Sequence, residues 1–126
     1  MQRKLLIADD ETHIRLLLEQ TFEELQDEGV ELLFAENGRD ALERIRAERP
    51  QLVFLDVMMP YLNGMEVCAQ IKNDDAMKGI YIILLTAKGQ EVDRQQGGQA
   101  GADQYLTKPF DPDFLLKIAR NVLDLQ

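Results

Sequence analysis

The chain has little cysteine, an excess of acid over base, and no long apolar run. Its 126 residues include one cysteine, Cys68, so no disulfide can form within the chain, which suits a reducing cytoplasm. Fourteen lysines and arginines face 23 aspartates and glutamates, giving a net charge of −9. This charge repels nucleic acid and anionic membranes, so we expect no direct nucleic acid binding. It favours a divalent cation or a basic partner surface instead.

The apolar runs also argue against a membrane segment. The longest, from Ile80 to Leu85, is far shorter than the roughly 20 residues that span a bilayer. The apolar run behind Arg3 and Lys4 stops at Ala8, before two aspartates, so it does not have the pattern of a signal peptide. We therefore expect no membrane insertion and a cytoplasmic location.

Length and composition fit one globular domain over residues 1–126. Hydrophobic residues make up 45% of the chain and charged residues 29%, proportions typical of a chain that folds around a core. Short apolar runs predict strands at 5–8, 30–35, 52–55, 80–85 and 102–106. Apolar residues at helical spacing predict helices at 14–25, 38–45, 65–71 and 112–122. The alternation of elements places a further helix at 91–99, where Val92 is the only apolar residue. This alternation predicts an α/β fold with a five-stranded parallel sheet covered by helices on both faces.

The helices carry further local signals. Asn37 and Asp111 are predicted N-caps, and Phe110 and Leu115 have the spacing of a hydrophobic staple. Leu17 and Phe114 are counted among the inward-facing residues, and Met58, Met59 and Cys68 are expected in the core rather than as ligands. The helix at 91–99 is the weakest, because Gly97 and Gly98 each cost about 1 kcal/mol relative to alanine.

Polar residues follow four of the predicted strands. They are Asp9-Asp10, Asp56, Thr86-Ala87 and Thr107-Lys108-Pro109. Ligands of open parallel sheets bind at the carboxyl ends of the strands, so these groups should converge there. Three clustered carboxylates need a cation, and an all-oxygen set with room for water and phosphate suits Mg²⁺ better than zinc. A metal, an acceptor carboxylate and a lysine are the equipment of phosphoryl transfer.

Each residue also has an ordinary structural explanation. The Asp9-Asp10 pair or Thr86 could cap a helix, Asp56 could serve a turn, and Lys108 could be a solvated charge. A lone histidine, His13, has no cysteine or second histidine at metal spacing. None of these structural explanations accounts for the placement of all these groups together at four strand ends.

The ordered set of motifs resembles the receiver domains of two-component response regulators. The segments that carry the resemblance are Leu6-Ile7-Ala8-Asp9-Asp10-Glu11, Leu55-Asp56-Val57-Met58-Met59-Pro60, Gly64-Met65-Glu66, Leu84-Leu85-Thr86-Ala87 and Gly101-Ala102-Asp103-Gln104-Tyr105-Leu106-Thr107-Lys108-Pro109-Phe110. The resemblance covers essentially the whole chain. It implies a flavodoxin-like, doubly wound fold with strand order 2-1-3-4-5 and a phosphoacceptor signalling function in a His-Asp phosphorelay.

The resemblance also implies a role for each site residue. Asp56 would accept phosphate from a phosphohistidine of a sensor kinase or phosphotransfer protein. Magnesium would be bound by Asp10, Asp56 and the backbone carbonyl of Met58, with Asp9 acting mainly through water. The remaining implied roles are phosphate contacts by Thr86, Ala87 and Lys108, a switch pair of Thr86 and Tyr105, and a cis bond before Pro109.

The implied output is a change of shape near the fourth helix, the fifth strand and the last helix. A homodimer or an output domain could use this surface, residues 91–126. Met58 and Lys88 hold variable positions that flank the phosphate, where we expect them to tune the lifetime of the phosphorylated form.

Two other classes of protein fit the sequence less well than a receiver domain. An aspartyl-phosphate hydrolase acting on small substrates usually has a second aspartate two residues after the nucleophile, followed by Gly-Thr, and Met58 holds that position here. A flavin or nucleotide carrier needs a phosphate-binding loop after the first strand, where Asp9-Asp10-Glu11 would repel phosphate. A phosphatase assay with a generic ester separates the first of these from a receiver.

Overall fold

A computed structural model describes residues 2–87 and 101–125 of the chain. Its strands are β1 (Arg3–Ala8), β2 (Val30–Ala35), β3 (Leu52–Asp56), β4 (Tyr81–Thr86) and β5 (Gln104–Thr107). The helices in this part of the chain are α1 (Thr12–Thr21), α2 (Glu23–Asp27), α3 (Gly38–Glu48), α4 (Gly64–Lys72) and α5 (Pro112–Val122). The helix expected at 91–99 lies outside the described residues, as does Lys88.

The five strands form one parallel sheet in the order β2-β1-β3-β4-β5. The α/β class and the strand order expected from the sequence are therefore confirmed. Strands β1 and β4 flank β3, so that Ala8 pairs with Leu55 and Asp56 pairs with Leu85. This pairing brings the carboxyl ends of the three central strands to one edge of the sheet.

The sheet separates two layers of core. Alternate residues of β4 show the division, because Ile82 and Leu84 belong to one buried cluster and Ile83 and Leu85 to the other. Helices α3 and α4 cover the first cluster, and α1, α2 and α5 cover the second. The central strands are buried on both faces, which explains why their sequences are continuous apolar runs rather than alternating ones.

Helix caps fix where the elements begin. The Asn37 side chain accepts a hydrogen bond from the Asp40 backbone N–H at 2.8 Å, and Asp111 accepts one from Asp113 at 3.0 Å. Both predicted caps are confirmed. Phe110 and Leu115 belong to the same apolar cluster, as the predicted staple requires.

Three expectations about burial are wrong, and the first helix is not continuous. Leu17 is 39% exposed, Phe114 47% and Met58 59%. Leu17 and Phe114 each precede a buried leucine and lie about 100° from it around the helix axis, on the side that is turned toward solvent. The predicted 14–25 helix breaks at Phe22, which is fully buried and packs on Phe54 with ring centroids 5.2 Å apart.

Within residues 2–87 and 101–125, the helices are too short or too polar to traverse a bilayer.

Candidate functional site

Three polar side chains at the strand ends are buried. Asp9 follows β1 and is 0% exposed, Asp56 ends β3 at 4%, and Thr86 ends β4 at 2%. Among the residues described, these are the buried polar or charged ones. Burial of two carboxylates this close together is costly unless a cation compensates it. The edge of the sheet is therefore specialised for chemistry rather than for packing.

Four carboxylates form a cluster at this edge. Asp9, Asp10, Glu11 and Asp56 each present an oxygen, and these four oxygens all lie within 4.8 Å of one another. Asp10 and Glu11 are exposed, so the cluster opens to solvent on one side. The donor set contains oxygen and no nitrogen or sulfur, which fits a hard cation such as Mg²⁺.

Lys108 lies against the cluster from the far side of β4. Its Nζ is 3.1 Å from Asp9 Oδ2, 3.3 Å from Glu11 Oε1 and 3.6 Å from Asp56 Oδ1. Burial alone would lower the pKa of Lys108, but the nearby carboxylates together outweigh burial and raise it. The ammonium therefore stays charged and partly balances the acidic groups.

The Asp56 carboxyl is hard to ionise in this setting. Burial is the main reason that its pKa rises from 3.8 to about 7, and the Asp9 carboxylate raises it further. Lys108 and a backbone N–H act in the opposite direction: Met58 N donates to Asp56 Oδ1 at 3.4 Å. A cation bound to the cluster would restore the carboxylate form, because an opposite charge favours ionisation.

The remaining predicted positions lie around these groups. Thr86 Oγ1 donates to Thr107 Oγ1 at 3.5 Å, and the Lys108 backbone N–H donates to the Thr86 carbonyl at 2.7 Å. Ala87 is exposed beside Thr86, and the peptide bond before Pro109 is cis. Tyr105 is partly buried against the cluster under α3 and α4.

Close packing of the backbone holds Asp56 in place. A Cβ added at Gly64 would be 2.3 Å from the Asp56 carbonyl oxygen, so only glycine allows this approach. The Gly64 N–H donates to the Val57 carbonyl at 2.9 Å, which closes the loop after β3. The sequence showed Gly64 only as part of the Gly64-Met65-Glu66 segment of the resemblance and did not indicate this contact with the acceptor.

Two residues of the site were missed by sequence reasoning. Lys108 forms an ion pair with Glu11 as well as with Asp9 and Asp56. The position of Glu11 directly after Asp9-Asp10 is the sequence feature that could have identified it. Arg15 donates from Nη1 to the Asp9 carbonyl at 2.6 Å and ties α1 to the end of β1. Nothing in the sequence marks Arg15, because its contact depends on the direction in which α1 leaves the strand.

The fold is a doubly wound parallel sheet, and the site at the carboxyl ends of its central strands combines an acidic cluster, a hydroxyl and a lysine. Together they define the class of phosphoacceptor signalling domains. Comparison with known proteins agrees: a family model described as the response regulator receiver domain matches residues 5–120. The chain belongs to this family, the receiver domains of two-component response regulators.

Curated relatives and solved structures give the same result. The chain is 42% identical over 112 residues to the alkaline phosphatase synthesis transcriptional regulatory protein PhoP of Bacillus subtilis, covering 89% of this chain and 45% of PhoP. It is 45% identical over 122 residues to a probable transcriptional regulator, ycf27, of Galdieria sulphuraria, covering 97% and 46%. The chain thus spans about half the length of the curated relatives it matches.

Among solved structures, a putative response regulator from Chloroflexus aurantiacus aligns with a TM-score of 0.85 at 32% identity, covering 98% of this chain and 99% of that one. The beryllofluoride-activated DrrB receiver domain aligns with a TM-score of 0.84 at 31% identity, with coverage of 98% and 99%.

Proposed function

We propose that Asp56 is the phosphoacceptor of this receiver domain and that magnesium bound at Asp10, Asp56 and the Met58 carbonyl enables the reaction, with Asp9 acting through water. The observation that carries the proposal is the contact of Lys108 with three clustered carboxylates, one of which has a pKa raised to about 7. Such an arrangement holds an anion-binding group beside a carboxylate that needs a cation. Bound there, magnesium would supply positive charge to Asp56 and to the phosphoryl oxygens.

In this reaction an Asp56 carboxylate oxygen attacks phosphorus, while the bond from phosphorus to the donor imidazole nitrogen breaks. The imidazole leaves with the bonding electron pair, so the transferred group is neither oxidised nor reduced. Lys108 Nζ and the Thr86 hydroxyl neutralise and orient the phosphoryl oxygens, and Ala87 contributes its backbone N–H to them. The domain thereby assists its own phosphorylation and, with water as attacking group, its dephosphorylation.

The donor and the output follow from the same chemistry. Receiver domains interact with histidine kinases or phosphotransfer proteins, and we infer that such a protein phosphorylates this chain. We infer further that Thr86 moves toward the phosphoryl group, that Tyr105 turns inward, and that residues 91–126 then present a changed surface to a second copy or an output domain. Residues 1–126 act in this scheme as one receiver domain with a cytoplasmic location.

Phosphorylation by a small donor tests the proposal. Acetyl phosphate with Mg²⁺ should add the mass of one phosphoryl group, and omission of Mg²⁺ should abolish the addition. Asp56→Asn should remove the labelling, whereas Asp75→Asn, which changes a carboxylate with a 96% exposed side chain, should leave it unchanged. Intact-mass spectrometry measures all four cases. Undiminished labelling of Asp56→Asn would exclude Asp56 as the acceptor.

The lifetime of the phosphorylated form gives a second prediction. Met58 carries an apolar side chain that cannot orient water by hydrogen bonding, and it is 59% exposed beside Asp56. Together with Lys88, whose apolar stem would cover the water path and whose ammonium would pair with a phosphoryl oxygen, it should hinder in-line attack by water. Met58→Asn with Lys88→Glu should therefore speed decay by about three- to ten-fold, or roughly 0.7–1.4 kcal/mol of barrier.

Decay is followed by mass spectrometry after the phosphodonor is removed. Leu16→Asn, which makes the same kind of change at a residue 51% exposed on α1, is the matched control and should decay like wild type. Decay in the double variant as slow as in wild type would mean that neither side chain sets the lifetime.

A further inference from the structure

The start of α3 contacts the loop that follows Asp56. We call residues 57–63 the acceptor loop. The Gly38 N–H donates to the Pro60 carbonyl at 3.2 Å, and a Cβ added at Gly38 would be only 1.7 Å from the Leu62 carbonyl oxygen. The neighbour is backbone, which cannot rotate away as a side chain could. A glycine at this position is therefore a condition for the observed path of the acceptor loop.

A second contact lies next to the first. The Arg39 guanidinium carbon is 4.3 Å from the centroid of the Tyr61 ring, a cation–π geometry. Tyr61 has a φ of 71°, a left-handed conformation that is rare for residues other than glycine. The side chain of Tyr61 enters no core cluster, and the residue is 69% exposed, so burial does not account for its conformation. The backbone around Tyr61 forms a tight turn closed by a hydrogen bond from the Leu62 N–H to the Pro60 carbonyl at 2.9 Å, and the Arg39 guanidinium packs on the ring that this turn presents.

These contacts hold the middle of a loop whose ends are already fixed. At one end the Val57 N–H donates to the Leu85 carbonyl, and at the other the Gly64 N–H donates to the Val57 carbonyl, both at 2.9 Å. Between these ends lies Met58, whose N–H reaches Asp56 Oδ1. A shift of the middle of the loop would therefore be transmitted to the Met58 backbone beside the acceptor carboxylate.

We propose that Gly38, Arg39 and Tyr61 form a clamp that positions the acceptor loop for magnesium binding. The three are positioning residues, because they act through the Met58 backbone rather than on the metal or the phosphoryl group. The inference rests on the proposed function, since it takes the Met58 carbonyl as a ligand.

The direction of the change in magnesium affinity distinguishes loss of the clamp from loss of a positive charge. Removal of a positive charge near an acidic cluster should, by itself, strengthen binding of a cation. Loss of the clamp should weaken it. Arg39→Gln should therefore raise the magnesium dissociation constant by about two- to five-fold, the effect expected for one exposed cation–π contact. Arg44→Gln, the same change further along the exposed part of α3, is the control for charge alone.

The experiment is a calorimetric titration of MgCl₂ into the metal-free chain, wild type and variants. Tyr61→Leu should weaken binding as much as Arg39→Gln, and the double variant should be no weaker than either single one, because both remove the same contact. Arg39→Lys and Tyr61→Phe keep a cation and a ring and should restore wild-type affinity. Amide NMR shifts of Met58 and Leu62 in EDTA should change in Arg39→Gln and not in Arg44→Gln.

Gly38→Ala should lower affinity by about ten-fold or more if the variant folds. If it does not fold, the Arg39 and Tyr61 series decides alone. Equal affinities for Arg39→Gln and Arg44→Gln would overturn the clamp while leaving the metal site intact. Failure of the proposed function would look different: wild type and Asp10→Ala would then bind Mg²⁺ equally weakly.

Discussion

Magnesium at a hundred times its dissociation constant should stabilise the folded chain by about 2.7 kcal/mol. The folded state brings four carboxylate oxygens within 4.8 Å of one another, and the unfolded chain has no such cluster, so the ion binds the folded state selectively. For a chain of this size, the melting temperature should rise by on the order of 10 °C. Thermal unfolding with and without MgCl₂, followed by circular dichroism, measures the shift.

Asp10→Ala should erase most of this response. The Asp10 carboxylate also contributes to the raised pKa of Asp56, so its removal should stabilise the metal-free protein by relieving repulsion. Glu43→Ala removes an exposed carboxylate from α3, away from the cluster, and should keep the full magnesium response. A magnesium response of wild-type size in Asp10→Ala would rule out Asp10 as a ligand.

In EDTA, stability should fall as the pH rises from about 4 to about 7. The pKa of Asp56 is about 7 in the folded state and 3.8 in the reference state without burial. Between these values the folded state holds a proton that the unfolded state has lost, so unfolding releases a proton and becomes easier as the pH rises. One proton gives a slope of at most about 1.4 kcal/mol per pH unit. The free-energy cost of ionising Asp56 in the folded state is absent below its unfolded-state pKa of 3.8 and complete above its folded-state pKa of about 7.

Asp56→Asn isolates this contribution, because asparagine does not titrate. The variant should lose the slope and should be more stable than wild type at pH 8, while the two should converge below about pH 4. Saturating Mg²⁺ should flatten the wild-type slope as well, since the cation favours the carboxylate. Urea unfolding at a series of pH values gives the free energies. Parallel curves for wild type and Asp56→Asn would show that Asp56 ionises normally in the folded state.

The sequence predicted the arrangement of the sheet well because buried parallel strands have an unambiguous pattern. Continuous apolar runs that end in acid identified β1 and β3, and a continuous apolar run that ends in Thr86 identified β4. The order of the strands did not come from this pattern, since periodicity says nothing about which strands are neighbours. It came from the resemblance to receiver domains.

Burial of individual side chains was harder to predict. Leu17, Phe114 and Met58 are apolar, yet all three are exposed. Apolar character limits where a residue is tolerated on the surface but does not require burial. Where two apolar residues are adjacent on a helix, only the packing against the sheet decides which of them is buried.

The acceptor loop shows another limit of the sequence. Glycine is the residue that most readily takes the left-handed conformation of a turn. In the structure Tyr61 has the positive φ, and Gly64 is needed because its backbone packs on the Asp56 carbonyl. The difference comes from contacts with α3, which is distant in sequence, and from the close approach of the Gly64 backbone to the end of β3. Neither leaves a local signal.

The division of the core by the sheet has a consequence for how this chain can vary. Leu84 and Leu85 are consecutive in β4, yet they pack into different layers with different helices. A change of side-chain volume is felt mainly by the residues in contact with it, and distant sites behave independently. Substitutions can therefore accumulate beneath α3 and α4 without requiring compensation beneath α1, α2 and α5. Evolution can remodel either face of the domain by itself, while the edge that carries Asp56 is kept.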